Sequence, residues 1–156
     1  MRIGLISDTH GLLREEALAT LAGSEYIIHA GDVGGPEVLD RLREIAPVTA
    51  VRGNVDRDAW ADVLSPTAVV EAGPALIYVL HDLHELDLNP VAAGFQVVVS
   101  GHSHKPAQFE RAGVLYVNPG SAGPRRFRLP VTVARLDLDE RPWRVEFVSL
   151  TTGGQT

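Results

Sequence analysis

The sequence predicts an α/β protein in which two packed β-sheets carry helices on their outer faces, and three observations support this fold class. Short apolar runs alternate with helical patterns over residues 1–51, which is typical of βαβ units with a parallel sheet. Beyond Pro66 the chain is rich in strand patterns and poor in helical ones. With 156 residues, of which 45% are hydrophobic, the chain is long enough to bury about 70% of its unfolded surface as one domain.

The first third of the chain predicts a repeated order of strand, loop and helix. A short apolar run with β-branched residues predicts each strand, and leucine and alanine at helical spacing predict each helix. Pro36 marks a helix start, where its missing N–H costs nothing. The predicted strands are residues 3–7, Tyr26–His29 and 48–51, and the predicted helices are residues 12–22 and 36–45.

The remainder predicts a second set of strands with one further helix, at residues 88–93. We assign residues 1–150 to a single domain and residues 151–156 to a frayed tail. The predicted strands are residues 68–71, Ala75–Leu80, 95–100, 108–110, Val114–Asn118, 131–138 and Arg144–Ser149.

The composition excludes several classes of function. Fourteen Lys and Arg stand against 20 Asp and Glu, which gives a formal net charge of −6 and argues against general nucleic-acid binding. A phosphate-bearing substrate stays possible, because bound metal ions could supply positive charge locally. The chain has no cysteine, so any metal must be bound by oxygen and imidazole nitrogen.

The sequence also predicts a cytoplasmic protein that does not enter membranes. The N-terminal residues run into Asp8 without the apolar stretch of a signal peptide. No run reaches about 18 apolar residues, the length of a membrane span.

Metal-binding side chains follow five of the predicted strands, and glycine precedes several of them at Gly31, Gly53 and Gly101. Carboxyl ends of parallel strands meet at one edge of a sheet, so these side chains are expected to converge. Alone, a Gly-Asp or Gly-Asn pair is ordinary turn chemistry, but the joint order across five strand ends is not. The candidate ligands are Asp8, His10, Asp32, Asn54, His81, His102 and His104.

The spacing of these residues predicts a centre with two metal ions. Residues i and i+2 of an extended segment project to the same side, so Asp8 and His10 can bind one ion together, and His102 and His104 can approach a shared site. A carboxylate has two oxygens and can bridge two ions, and Asp32 is the natural bridge. Asn54 would bind through its amide carbonyl.

The ordered segments D-x-H, G-D, G-N, H and G-H-x-H resemble the signature of the calcineurin-like metallophosphoesterase superfamily, within its small bacterial and archaeal phosphodiesterase branch. Residues 118–121 (NPGS) match a further segment of that branch. The resemblance covers the chain to about residue 150. It implies a four-layer α/β/β/α sandwich of two mixed sheets flanked by helices.

The resemblance also implies the chemistry. One ion would be bound by Asp8, His10, Asp32 and His104, and the other by Asp32, Asn54, His81 and His102. Mn²⁺ is the first choice, with Ni²⁺, Zn²⁺ or Fe as alternatives. The expected substrate is a small phosphate ester, more often a diester than a monoester, attacked by a hydroxide that the ions hold between them. The residues expected to be catalytic are Asp32, Asn54 and His81.

Several positions depart from the family pattern or lie beside it. Val55 stands where many members have a histidine that protonates the leaving group, so we expect slow turnover of poor leaving groups. Asp56 is expected to stabilise the turn, His84 to lie at the rim, and His29 to be a buried histidine that supports the loop. The basic cluster is expected to be solvated, although one of its arginines could bind a phosphate; it consists of Arg125, Arg126 and Arg128.

Two other functions stay open at this point. A relative of this branch is a metal-poor eukaryotic trafficking subunit, so the chain could be a non-catalytic protein-binding scaffold, although it keeps all seven candidate ligands. It could also be a metallohydrolase that cleaves a bond other than a phosphate ester. The sequence leaves open whether the chain forms a homo-oligomer.

Overall fold

A computed structural model describes residues 1–126 and 128–150, and it contains two five-stranded mixed sheets with helices against their outer faces. The predicted α/β/β/α sandwich is therefore confirmed. The tail at residues 151–156 lies outside the described residues. The strands are β1 (Arg2–Ile6), β2 (Tyr26–His29), β3 (Val48–Ala50), β4 (Thr67–Ala72), β5 (Ala75–Leu80), β6 (Val97–Val99), β7 (Ala107–Arg111), β8 (Val114–Asn118), β9 (Thr132–Asp137) and β10 (Arg144–Ser149).

The first sheet has the order β10-β9-β1-β2-β3. Its strands β1, β2 and β3 are parallel, whereas β9 and β10 pair antiparallel. Two amphipathic helices supply the crossovers that parallel strands require, and their apolar faces pack on the outside of this sheet. These helices are α1 (Glu15–Leu21) and α2 (Pro36–Arg43).

The second sheet has the order β4-β5-β6-β8-β7. Here β5, β6 and β8 are parallel, and the two edge strands pair antiparallel. A short helix, α3 (Pro90–Ala93), precedes β6, and the side chain of Asn89 accepts hydrogen bonds from two N–H groups in its first turn.

The main core lies between the two sheets, and the alternation of strand side chains divides it from the outer layers. Along β5, Ile77 and Val79 point into the core between the sheets, whereas Tyr78 and Leu80 join an outer apolar cluster. All four are at most 7% exposed. Both faces of β5 are therefore covered, as is usual for a parallel segment.

The helices are shorter than the sequence predicts. Helix α1 begins at Glu15 rather than at residue 12, because Gly11 still donates to the carbonyl of Val33 and keeps the chain on the neighbouring loop. Helix α3 begins at Pro90 rather than at residue 88, since proline favours the first helical position. Two 3₁₀ helices escaped prediction, Ala59–Val63 and Leu83–Glu85.

The topology brings the carboxyl ends of six strands to one edge of the sandwich. These strands are β1, β2 and β3 of the first sheet and β5, β6 and β8 of the second. Loops that leave this edge carry all of the candidate ligands. In the described part of the chain, no helix is both long enough and apolar enough to span a bilayer.

Candidate metal centre

Backbone hydrogen bonds extend the pairing of β1 and β2 past the ends of both strands. The N–H of Asp8 donates to the carbonyl of Gly31 at 3.0 Å, and the N–H of His10 donates to the carbonyl of Asp32 at 2.9 Å. Each ligand-bearing loop therefore fixes the other, and Asp8, His10 and Asp32 face one space.

Asp8 is fully buried, and its two carboxylate oxygens have different surroundings. Oδ2 accepts hydrogen bonds from Oγ of Ser7 at 2.6 Å and from the N–H of His102 at 3.1 Å. Oδ1 has no hydrogen-bond partner among the described residues. It lies 3.4 Å from Nε2 of His104, 3.8 Å from Nε2 of His81 and 3.9 Å from Nε2 of His10.

Asp32 and His81 form the second part of the centre. Oδ1 of Asp32 accepts from the N–H of Val55 at 3.0 Å, and Oδ2 lies 3.2 Å from Nε2 of His81. Nδ1 of His81 lies 2.7 Å from the carbonyl oxygen of Ala30 and donates to it. This bond directs Nε2 of His81 at the carboxylates, the arrangement common for histidines that bind metals.

The charges of this pair depend on each other. Burial disfavours the imidazolium of His81, but the Asp32 carboxylate and the Ala30 carbonyl outweigh it and raise the pKa of His81 to about 9. Burial also disfavours the Asp32 carboxylate, yet His81 and the N–H of Val55 hold its pKa well below the usual range. In the metal-free protein, a proton on His81 therefore neutralises part of the negative charge of the centre.

His10 behaves differently. Burial lowers its pKa below the usual value, against the attraction of Asp32 and Asp8. A neutral imidazole has a free lone pair, which is the form that binds a metal.

The donor atoms have the spacing of a metal centre. Two groups of three can each direct ligand atoms to one point: Asp8, His10 and His104, and Asp8, Asp32 and His81. Ligands about 2.1 Å from one ion can lie up to about 4.2 Å apart, and the separations of 3.2–3.9 Å are within that limit.

Unpaired polar atoms mark the same place. In residues 1–126 and 128–150, five buried side-chain polar atoms have no hydrogen-bond partner, and four of them belong to candidate ligands: Asp8, His10, His81 and His104. Buried polar atoms without a partner cost free energy, so such a concentration requires an explanation. Bound cations would satisfy Oδ1 of Asp8 and Nε2 of His10 and of His81, and this donor set fits a metal. The unpaired atom of His104 is Nδ1, on the other side of the ring from the Nε2 that faces Asp8.

Backbone strain gathers at the same residues. Six non-glycine residues in the described chain have a positive φ, and five of them are candidate ligands: Asp8 (55°), His10 (48°), Asp32 (56°), His102 (72°) and His104 (64°). The left-handed region costs about 1–2 kcal/mol for an ordinary residue. Strain of this kind persists at functional sites, where the surrounding structure enforces it.

Two predicted ligands lie farther from this centre. The imidazole of His102 is 43% exposed, and its Nε2 lies 3.7 Å from Oδ2 of Asp82. Its ring centroid is 5.3 Å from that of His81, so it borders the centre. Asn54 is exposed. Both of its neighbours contact Asp32: Gly53 packs on this side chain, and the N–H of Val55 donates to its Oδ1.

Asp56 has a larger structural role than turn formation. It is 2% exposed and accepts three backbone hydrogen bonds, from Val33 (3.1 Å), Gly34 (3.0 Å) and Gly53 (2.9 Å). It thereby joins the loop after β2 to the loop after β3. The spacing G-N-x-D was a signal for a turn, but it did not reveal the contacts with the neighbouring loop.

His29 is the supporting histidine that the sequence predicts. Its Nδ1 accepts from the N–H of Gly31 at 3.1 Å, so Nε2 carries the proton and donates to Oγ1 of Thr9 at 3.0 Å. Thr9 in turn donates to the carbonyl of Val33 at 2.7 Å. Complete burial lowers the pKa of His29 to about 4, so the ring is neutral near pH 7.

The NPGS segment supports the centre through residues that sequence reasoning gave no role. Asn118 donates from Nδ2 to the carbonyl of Gly101 at 2.9 Å, which holds the loop before His102. Oγ of Ser121 donates to the carbonyl of Asp8 at 3.1 Å. The polar type of these residues directly after an apolar strand was the available signal.

Close packing restricts one position on this loop to glycine. A Cβ at Gly101 would lie 2.7 Å from Oδ2 of Asp8 and would also collide with Ser7. An alanine there would displace the carboxylate that the three histidines surround.

The remaining predicted residues lie around the rim. His84 is 96% exposed and its Nδ1 lies 3.1 Å from Oδ1 of Asp82, as a rim position requires. Arg126 is exposed, yet it lies close enough to His10 to contribute to the lowering of its pKa. Another cavity, of about 480 Å³, lies at the opposite edge of the first sheet beside Arg2 and contains none of the candidate ligands.

The chain belongs to the calcineurin-like phosphoesterase superfamily, since the family's domain model matches residues 1–141. A protein of Methanocaldococcus jannaschii named "probable metallophosphoesterase" is 34% identical over a gapped alignment of 155 positions that covers 90% of this chain and 78% of the relative. The phosphodiesterase YfcE of Escherichia coli K12 is 29% identical over a gapped alignment of 163 positions that covers 89% of each chain.

Solved structures share the same fold. The structure of YfcE, described as a phosphoesterase, matches 97% of this chain and all of its own with a TM-score of 0.70 and 26% identity. Vps29 of Chaetomium thermophilum matches 97% of both chains with a TM-score of 0.76 but only 20% identity. The similarity to Vps29 therefore shows a shared fold and nothing more.

Proposed function

We propose that the protein is a phosphoesterase that requires two divalent metal ions and prefers phosphodiesters. The observation that supports this most strongly is the buried Oδ1 of Asp8, which lacks a hydrogen-bond partner within the described chain and lies within 3.9 Å of three imidazole nitrogens. Membership of the calcineurin-like phosphoesterase superfamily supports the type of reaction.

The ligands divide between the two ions as follows. Asp8, His10 and His104 would bind the first ion, with Oδ2 of Asp32 close by at 3.8 Å from Nε2 of His10. Asp32 and His81 would bind the second, together with Asn54 and His102 at its open side. Asp8 belongs to both groups of donors, so a shared carboxylate can come from Asp8 as well as from Asp32. We take Mn²⁺ as the first candidate.

When bound, two such ions would polarise the phosphoryl oxygens, activate a water and stabilise the charge of the transition state. The chain holds the donors in position. Ser7 and the N–H of His102 hold Oδ2 of Asp8, the N–H of Val55 holds Oδ1 of Asp32, and the Ala30 carbonyl orients His81. Because these contacts exist before substrate arrives, little reorganisation accompanies the reaction.

A relative supports the preference for diesters, since the phosphodiesterase YfcE of Escherichia coli K12 is 29% identical to this chain over 89% of its length. The catalytic residues of the proposal are Asp32, Asn54 and His81. Asp32 and His81 are buried in the centre, whereas Asn54 is exposed.

The test combines metal analysis with hydrolysis. Purified protein is loaded with Mn²⁺, its metal content is measured, and rates are compared for bis(4-nitrophenyl) phosphate and 4-nitrophenyl phosphate. We expect about two ions per chain and faster cleavage of the diester. The Asp32→Asn variant should bind at least one ion fewer, and its rate should fall about 10²-fold or more. The exposed Asp87→Asn variant should keep its full metal content and its full rate.

Each alternative has its own outcome. A protein that binds two ions but cleaves neither ester would contradict the proposal and favour a non-catalytic scaffold. Cleavage of a carboxylic ester in place of both phosphates would favour a different metallohydrolase. An Asp32→Asn variant with full metal content and rate would refute the assignment of the site.

A further inference from the structure

A small cavity of about 180 Å³ opens beside the candidate metal centre, on the outer face of the second sheet. Its walls are mainly apolar, and its mouth is formed by polar residues next to the centre. The apolar wall consists of Leu83, Ala107, Phe109, Tyr116 and Val117, and the mouth includes Asp82 and His102. We call this cavity the aryl pocket.

The wall of the aryl pocket is a preformed aromatic surface. Phe109 and Tyr116 are direct cross-strand partners on β7 and β8, and their rings stack at 4.7 Å with an interplanar angle of 6°. Arg111 lies 5.4 Å from the centroid of Phe109 and 5.9 Å from that of Tyr116. Tyr116 is buried, whereas Phe109 is 37% exposed, so an aromatic surface stays open to solvent.

The aryl pocket exists because the outer face of the second sheet is only partly covered by other segments. The segment that includes Leu83 packs on the cluster around Tyr116 and covers the outer face of the central strands. All five residues of β7 are exposed, so this cover ends before it reaches the edge of the sheet. An apolar recess in a surface is a usual place for a ligand group.

The aryl pocket is continuous with the metal centre through His102. The imidazole of His102 borders His81 on one side, at 5.3 Å between ring centroids, and lines the aryl pocket on the other. A phosphate at the centre therefore lies about one side chain away from the mouth of the aryl pocket.

Asn118, which also lines the aryl pocket, has its polar atoms already hydrogen-bonded. Nδ2 of Asn118 already donates to the carbonyl of Gly101 and to Oγ of Ser103, and its Oδ1 accepts from the N–H of Gly120. A sugar hydroxyl beside Asn118 would lose its water without gaining a partner from this side chain, which costs free energy. An apolar group would gain free energy from burial instead.

We propose that the aryl pocket binds a flat apolar group esterified to the phosphate at the metal centre, and that Phe109 and Leu83 are specificity-determining residues for it. This inference rests on the proposed function, since it places the phosphate at that centre. The substrate class is then an ester of phosphoric acid with an aromatic or similarly flat apolar alcohol.

The test measures binding without turnover. Phenylphosphonate and methylphosphonate share one phosphonate head group and differ in the ring, so their affinities for the Mn²⁺-loaded protein isolate the contribution of the aryl pocket. We expect phenylphosphonate to bind about tenfold more tightly. In the Zn²⁺-loaded diamagnetic protein, it should shift the methyl NMR signals of Leu83.

Two variants and a control locate the effect. Phe109→Ala and Leu83→Ala should each reduce the preference for phenylphosphonate to about threefold or less and leave the affinity for methylphosphonate unchanged. Val69→Ala removes another exposed apolar side chain of the same sheet, on β4, and should change neither affinity. Thermal unfolding checks that all three variants fold.

The outcomes separate the two proposals. If neither phosphonate binds to the loaded protein, the proposed function fails. If both bind with equal affinity, or if the preference survives in both Phe109→Ala and Leu83→Ala, the aryl pocket does not hold the ring, and the proposed function stands without it.

Discussion

Oδ1 of Asp8 lies 3.4 Å from Nε2 of His104, and no donor in the described chain forms a hydrogen bond with this buried oxygen. The other oxygen of the same carboxylate accepts two hydrogen bonds. One oxygen of Asp8 therefore fixes the side chain while the other is kept free among the imidazoles. The predictions below concern the residues that maintain this arrangement.

Asp56 should control both stability and metal affinity, because it joins two ligand-bearing loops through three backbone N–H groups. Asp56→Asn retains one acceptor oxygen and brings an NH₂ group against a backbone donor. We expect the free energy of unfolding to fall by about 1–3 kcal/mol and Mn²⁺ affinity to fall about 10–100-fold. Urea unfolding and metal titration measure the two effects. The exposed Asp58→Asn is the matched control, and equal behaviour of both variants would contradict the account.

Because the backbone at His102 is left-handed, we expect the glycine variant at this position to be more stable than the alanine variant, the reverse of the usual order. At φ 72°, alanine is strained and glycine is not, so His102→Gly should exceed His102→Ala in free energy of unfolding by about 1 kcal/mol. His84 lies in a 3₁₀ helix, where the alanine variant should be the more stable one. Urea unfolding of the four metal-free variants tests this. Alanine more stable than glycine at both positions would show that His102 is unstrained.

Metal binding should release a proton from His81. The Asp32 carboxylate and the Ala30 carbonyl, against the effect of burial, raise its pKa to about 9 in the metal-free protein. A raised pKa stabilises the metal-free fold below about pH 6.5, and this contribution is lost as the pH rises through about 9. A metal competes with that proton, so apparent affinity should rise about tenfold per pH unit between pH 7 and 9.

Calorimetric titration in buffers with different ionisation enthalpies measures this proton release. We expect close to one proton per chain from His81 at pH 7.5. Affinity that is independent of pH over this range, with no release of protons, would show that His81 is neutral before the metal binds.

The side chain at position 55 should determine how strongly the rate of hydrolysis depends on the leaving group. Val55 is 50% exposed and contributes only its backbone N–H to the centre, so its side chain can be exchanged without disturbing Asp32. Val55→His would add an imidazole acid at the open side, and we expect it to accelerate diesters with poor leaving groups by about 10²-fold at most. Rates across a series of aryl diesters measure this dependence, with Val55→Gln as the control. An equal gain for all leaving groups would argue against proton donation.

The fold was largely predictable, because strand and helix patterns in this chain are local. The apolar runs Val97–Val99 and Ala75–Leu80 mark buried strands by composition alone. The start of helix α1 was not predictable. Leu12 and Leu13 fit helical spacing, but the loop at Gly11 is held to Val33 by a tertiary hydrogen bond that no local pattern reveals.

The candidate site was predictable in its residue types and less so in its geometry. The structure groups Asp8, His10 and His104, but Asp8 and His10 have left-handed backbone rather than the extended backbone from which their common direction was predicted. That Asp8 belongs to both donor groups, and that His102 faces Asp82 as well as the centre, depends on side-chain directions. The positive φ of these residues was equally hidden, since only a small fraction of non-glycine residues adopt that region, even though aspartate and histidine do so more often than most.

The central claim is that five separate loops hold two metal ions between them. Anomalous diffraction from crystals of the Mn²⁺-loaded protein, recorded at the manganese absorption edge, tests it directly. The account predicts two peaks about 3.5–4 Å apart, one contacting Asp8, His10 and His104 and the other contacting Asp32 and His81. Fully loaded crystals with peaks elsewhere, or with no peak next to Oδ1 of Asp8, would contradict it.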